Sequence, residues 1–218
     1  MRRGSGPLRA LACAALLATG ATAVAAAPRK AQADFAAAAV SEDARLIADW
    51  VVDSADNRKR PFAIVDKKEA RLLVFSAQGR LVGATPVLLG LAPGDRAVAG
   101  MGALAPARIP PSARTTPAGR FATEPGRNLD GEAVVWFDYD EGLAIHRLRA
   151  NAVREARSKR LASADPRAHR VSAGCVVVPV EFYESVVARW LGNGRGVLYV
   201  LPETESVRQV FGGIENDL

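Results

Sequence analysis

Hydrophobic and polar positions change their rhythm twice along this 218-residue chain. In SEDARLIADWVV, residues 41–52, the apolar Leu46, Ile47, Trp50 and Val51 recur at helical spacing behind Ser41, a suitable N-cap. They predict a short amphipathic helix. From Pro61 the rhythm shortens. FAIVD, RLLVFS and LVGATPVLL are compact apolar runs divided by Asp-Lys-Lys-Glu and Ala-Gln-Gly, the turn chemistry of an antiparallel meander. GRFAT, AVVWFDY, GLAIHRL, CVVVP and GVLYVLP predict further strands, whereas residues 92–114 read as a long Pro/Gly loop. Near the end the pattern is helical again. Pro179 opens that helix, Gly192 closes it, and Phe182, Tyr183, Val186, Val187, Trp190 and Leu191 form its apolar stripe. The whole predicts a mainly β domain, a β-rich α+β unit with one supporting helix.

The first residues follow a different logic. MRRGSGPLR carries three arginines, and the apolar, small-residue stretch ALACAALLATGATAVAAA runs up to Pro28-Arg29-Lys30. This is the layout of a signal peptide cleaved near Ala27. A membrane anchor fits less well, because the stretch is Ala-rich and broken at Gly20. A lipoprotein signal at Cys13 would fall before the apolar stretch has run its length. The expected organisation is a signal peptide at 1–27, a connector with the short helix at 28–60, a domain at 61–205 and a tail at 206–218. Such a chain is exported, to the periplasm or cell envelope, with no membrane span after cleavage. Losing Arg2, Arg3 and Arg9 reduces 29 basic residues to 26, against 23 acidic ones, so the net charge falls from +6 to +3. That excess is too mild for a dedicated nucleic-acid binder.

Cys13 leaves with the signal, so Cys175 stands alone in HRVSAGCVVVP, residues 169–179. An unpaired cysteine in an exported chain points to an intermolecular bond or a reactive thiol; its structural alternative is a small buried hydrophobe. There are two histidines. His146 lies in an apolar strand, where it is either a satisfied core residue or a base for a thiol on a neighbouring strand. Gly174 lets the backbone approach a substrate, the adjacent amides are suited to an oxyanion, and Ser172 is placed to orient the histidine or a substrate amide. One cysteine and two histidines match none of the usual closely spaced zinc sets.

TTPAGRF (115–121), AIHR (144–147) and VSAGCVVVP (171–179), in that order, resemble the YkuD-type L,D-transpeptidase catalytic domain. The opening FAIVDKKEARLLVFSAQGRLVGATPV is similar as well, so the resemblance spans roughly residues 61–201. It implies a β-sandwich with a supporting helix after the cysteine strand. It makes Cys175 the nucleophile, His146 the general base, Gly174 and the Cys175 amide the oxyanion donors, and Ser172 the motif serine. The implied substrates are peptidoglycan stem peptides, cut through a thioester. The acyl group then passes to an amine, giving a crosslink or attaching a wall protein or lipoprotein, in the service of wall biogenesis and cell shape. No metal or organic cofactor is implied.

Two alternatives remain: hydrolysis of the same bonds, as in an L,D-carboxypeptidase, and a non-catalytic wall-binding member of the fold. A papain-like peptidase is disfavoured, because here the histidine precedes the cysteine. Three features depart from the family pattern. Arg147 replaces the usual glycine, and Val177 replaces an arginine or asparagine. The His-to-Cys interval is widened by a basic insertion over 149–168, with Arg149, Arg154, Arg157, Lys159, Arg160 and Arg167 against Glu155 and Asp165. The insertion is either a lid that meets substrate carboxylates or a solvated helical excursion. Arg170, Arg147 and Thr116 are the expected substrate-side residues, with Thr116 on the cleft wall, and His169 is expected at the surface.

Overall fold

The computed structural model describes Met1 and residues 30–149 and 154–214. The expected signal peptide lies outside the described residues, apart from Met1. Helix α1 (Glu42–Ser54) begins where its sequence predicts, with the Ser41 hydroxyl accepting from the Ala44 N–H at 3.1 Å. Ala44, Ile47, Ala48 and Val51 form its buried stripe. The segment ahead of it is more than a connector. Asp34 pairs by its backbone with the chain at Gly79 and Leu81, and Phe35 packs edge-on against Phe75.

Strands β1 (Phe62–Asp66), β2 (Arg71–Phe75) and β3 (Leu81–Pro86) form the expected antiparallel meander. LVGATPVLL, however, is not one strand. After Pro86 the chain leaves the sheet, and β4 (Leu89–Gly90) pairs in parallel with β8 (Arg170–Ser172). The remaining strands are β5 (Gly119–Arg127), β6 (Ala133–Asp138), β7 (Leu143–Arg147), β9 (Val176–Val178) and β10 (Gly196–Val200). The sheet order is β3-β2-β1-β10-β5-β6-β7-β9, and it is mixed, because β10 runs parallel to β1 and β9 parallel to β7.

Strand β5 is the corner. Its residues 119–123 pair with β10 and its residues 124–127 pair with β6, which divides the sheet into two halves. Both halves contribute to one apolar core. Ala63, Val65, Leu72, Val74, Leu198 and Val200 from one half meet Val135, Phe137, Ile145, Val176 and Val178 from the other. The alternate residues Phe62, Ile64, Leu73, Phe75, Val197 and Tyr199 point the opposite way, into a second layer under α1. Being covered on both faces is why β1, β2 and β10 read as continuous apolar runs without alternation.

The supporting helix occupies residues 180–190 after Pro179, and its middle turn, Tyr183–Val187, is widened to π-helical geometry. Tyr183, Val187 and Leu191 are buried in the first core, with Phe182, Val186 and Trp190 against its edge. The basic insertion carries a short helix α2 (Arg154–Leu161) and a 3-10 turn at Pro166–His169.

Candidate active site

Cys175 sits in the turn between β8 and β9, partly exposed and free of any disulfide. Ser172 closes this turn from inside. Its hydroxyl donates to the Cys175 carbonyl at 2.7 Å and accepts from the Gly174 N–H at 3.1 Å. The Ser172 side chain is therefore engaged with the turn itself, in place of the expected contact with a histidine or substrate amide. Gly174 has φ +130°, and a Cβ there would come within 2.8 Å of both the Leu143 side chain and the Thr115 carbonyl oxygen. Only glycine suits that backbone. Since the Gly174 N–H is held by Ser172, the Cys175 amide is left to serve an oxyanion.

Thr116 is fully buried, which separates it from any substrate. Its hydroxyl donates to the Gly174 carbonyl and accepts from the Gly90 N–H, both at 2.9 Å. Together with the Leu91 N–H to Ser172 carbonyl bond at 2.9 Å, this fixes the cysteine turn from the outside. Thr116 is a positioning residue.

His146 lies on β7, which is paired with β9 so that Ile145 faces Val176 and His146 faces Val177. Ile145, Val176 and Val178 point into the central core, whereas Val177 packs with Leu88, Leu148 and Leu161 on the other face. Strand alternation puts His146 on Val177's face. The Cys175 Sγ reaches the start of the same strand, donating to the carbonyl of Gly142, four residues before His146 and just ahead of β7, at 3.6 Å beside the Ala144 amide. The thiol thus lies at the beginning of the strand that carries the imidazole. The His146 Nδ1–H donates to the Arg147 carbonyl at 2.8 Å, which leaves Nε2 as the basic nitrogen.

Both groups rest neutral. Burial pushes the Cys175 thiol above its ordinary value, against the opposing pull of the Ala144 amide and the Arg149 charge. Burial also lowers His146, helped by the charges of Arg149 and Arg157 and opposed by the Arg147 carbonyl and Glu132.

The two expected substrate arginines are engaged elsewhere. Arg147 ion-pairs with Glu184 at 3.2 Å and lies 5.5 Å from the Tyr183 ring, tying β7 to the supporting helix. Arg170 is mostly buried and bonded to Glu203, with a longer bond to the Lys67 carbonyl at 3.4 Å. His169, expected at the surface, is buried. Its Nδ1 faces the Val87 carbonyl at 2.9 Å and its Nε2 the Ser163 carbonyl at 3.1 Å, so it joins the insertion to the segment ahead of β4.

Sequence reasoning missed the group beneath the site. Lys67, read as part of a polar turn, is buried, and its ammonium donates to the Gly94 carbonyl at 2.5 Å, Asp95 at 2.7 Å and the Thr116 carbonyl at 3.0 Å. Glu203 stands 3.5 Å away. Asp95 also accepts from the Glu203, Thr204 and Glu205 amides, and these bonds with Lys67 hold its carboxyl below the usual range. Lys67 thereby braces Thr116, and through it Gly174. No local signal marks Lys67, because its partners lie 27 to 49 or more positions away.

The insertion lies against the same outer face. Leu161 of α2 completes the cluster with Val177, Leu88 and Leu148, so the valine in place of a polar residue is covered by an apolar side chain from the insertion. Among the described residues, no three His, Cys, Asp or Glu side chains gather as a metal-ligand set, and no helix is long and apolar enough to cross a membrane.

No protein-family model and no curated protein matches this sequence. Among solved structures, the chain is similar to the crystal structure of an L,D-transpeptidase from Xylanimonas cellulosilytica, with 17% identity and a TM-score of 0.41 over 65% of this chain. The match spans 60% of that chain's length. It is also similar to the catalytic domain of the E. faecium L,D-transpeptidase, with 17% identity and a TM-score of 0.33 over 66% of this chain and 98% of the other. Both of these solved structures are of L,D-transpeptidases.

Proposed function

We propose that the chain is an exported cysteine acyltransferase of the L,D-transpeptidase type, acting on peptidoglycan stem peptides. The observation that carries this reading is that the Cys175 thiol reaches the start of β7, the strand that carries His146, whose Nδ1–H is held by the Arg147 carbonyl so that Nε2 is the nitrogen that accepts a proton. In the reaction, Nε2 takes the Sγ proton and the thiolate attacks the carbonyl carbon of the scissile peptide bond. The oxyanion meets the Cys175 N–H. Collapse breaks the C–N bond, and the imidazolium returns its proton to the departing amine, leaving a thioester. An acceptor amine then attacks the thioester, loses a proton to His146, and releases the thiolate. Water in place of the amine gives hydrolysis.

The resting state of the pair favours one competing reading, a wall-binding protein that keeps the fold without turnover. A raised thiol and a lowered imidazole both oppose the thiolate–imidazolium pair. The two readings separate on muropeptides incubated with the chain and analysed by mass spectrometry. The acyltransferase yields crosslinked or trimmed stems that are lost in Cys175→Ala, with the variant's circular dichroism unchanged. Products that persist in Cys175→Ala would exclude the thioester route. No products from the folded native chain would favour the binding protein.

A further inference from the structure

The insertion leaves two arginines whose role the reaction above does not use. Arg157 lies four residues, one helical turn, before Leu161, so both point to the same side of α2. Leu161 is seated on Val177, which is the register partner of His146. Arg157 is therefore turned toward the outer face that carries His146, and its Nε is buried without a hydrogen-bond partner. Arg149, just beyond β7, is instead paired with Asp130 and Glu132, each at 3.1 Å. The charges of both arginines reach His146, and that of Arg149 also reaches Cys175. Arg147 and Arg170, the expected substrate arginines, already have carboxylate partners in Glu184 and Glu203.

We infer that Arg157 forms an anion subsite over the outer face that carries His146 and takes a carboxylate of the acyl donor, close to the bond that is broken. The inference rests on the acyl-transfer reading for the identity of the donor, though not for the presence of the subsite. A guanidinium with an unpaired buried N–H gains most from a carboxylate, which accepts two parallel bonds. A bound carboxylate also offsets the positive charge that weakens His146 as a base, so the donor readies the base on arrival. The insertion then acts as a specificity element, held in place by Leu161 and His169.

The test uses two small electrophiles of nearly equal size on the chain from residue 28. Iodoacetate is an anion and iodoacetamide is neutral, and both alkylate Cys175. The ratio of their second-order rate constants should fall about tenfold in Arg157→Gln and recover in part in Arg157→Lys. Iodoacetamide labelling reports whether the thiol remains accessible in the variants. An unchanged ratio in Arg157→Gln overturns the subsite. In a second arm, Arg157→Gln should raise KM about tenfold more for a stem peptide with a free carboxylate beside the scissile bond than for its amidated counterpart. Equal increases for both overturn the inference. If the native chain turns over neither peptide, the acyltransferase reading fails, while the haloacetate ratio still decides the subsite.

Discussion

Cys175 is a partly exposed residue whose thiol, desolvated by its surroundings, favours the neutral form before substrate arrives. Its thiolate fraction near pH 7 must therefore be smaller than that of a free cysteine, which titrates near ~8.5. Iodoacetamide labelling of the free protein should consequently climb with pH and reach half its limit above the pH at which a small-molecule thiol does. Arg149→Met should move that midpoint higher still, because it removes a positive charge that favours the thiolate. A midpoint below that of a free thiol would contradict this account of the site. Gly174→Ala tests the turn itself. Its φ of +130° and the 2.8 Å contacts awaiting a Cβ would displace the nucleophile, and kcat/KM should drop by at least about 100-fold. At this scale the sequence singled out residues whose chemistry is rare in the chain, namely Cys175, the strand histidine and the glycine between them. It misled for Thr116 and Arg170, because a threonine or arginine beside a motif looks the same whether it faces a substrate or a buried carbonyl or carboxylate.

The short meander was legible as elements because β1, β2 and β3 pair across tight turns with their own punctuation. The placement of β10 between β1 and β5 was not, since its pairing with β1 joins residues more than a hundred positions apart. Nor did apolar pattern show that Pro86 ends one strand and that Leu89 and Gly90 begin another. That second strand matters, because Gly90 and Leu91 hold Thr116 and Ser172, and so form half of the frame around the nucleophile. Below the frame stands Lys67. Replacing it with methionine leaves Asp95 and Glu203 without their buried cation and should lower stability by about 3 kcal/mol, read from urea unfolding. Thr116→Val removes the hydroxyl shared by Gly90 and Gly174 and should cost about 1–3 kcal/mol. Its kcat loss should exceed that of a variant of equal stability loss in the α1 layer, because only the threonine touches the cysteine turn. Equal losses would mean that the frame holds the fold without placing the thiol.

Across the whole molecule, the sheet half formed by β1, β2 and β10 is a shared wall between two apolar layers, and only one of them lies under the candidate site. The other layer is closed by α1 and by Val207, Phe211 and Ile214 beyond the last strand. Trp50 links the two closing segments, its indole N–H donating to the Gly213 carbonyl at 3.0 Å and its ring lying against Tyr199. A chain trimmed to residues 61–205 keeps every residue of the site yet uncovers Phe62, Ile64, Phe75 and Tyr199 together. Such a bared apolar face should leave a collapsed state that binds a hydrophobic dye and has lost its near-ultraviolet circular dichroism. Residues 30–214 should instead unfold in one cooperative transition, and within that chain Ile47→Ala should cost about 2–5 kcal/mol. Cooperative unfolding of the trimmed chain, with native-like near-ultraviolet signal, would show that α1 is an appendage and that the site needs only the inner layer. The expected collapse would instead make the outer layer a condition for activity, although none of its residues approaches the thiol, because β1, which leads into Lys67, and β10, which pairs with β5, lie between both cores.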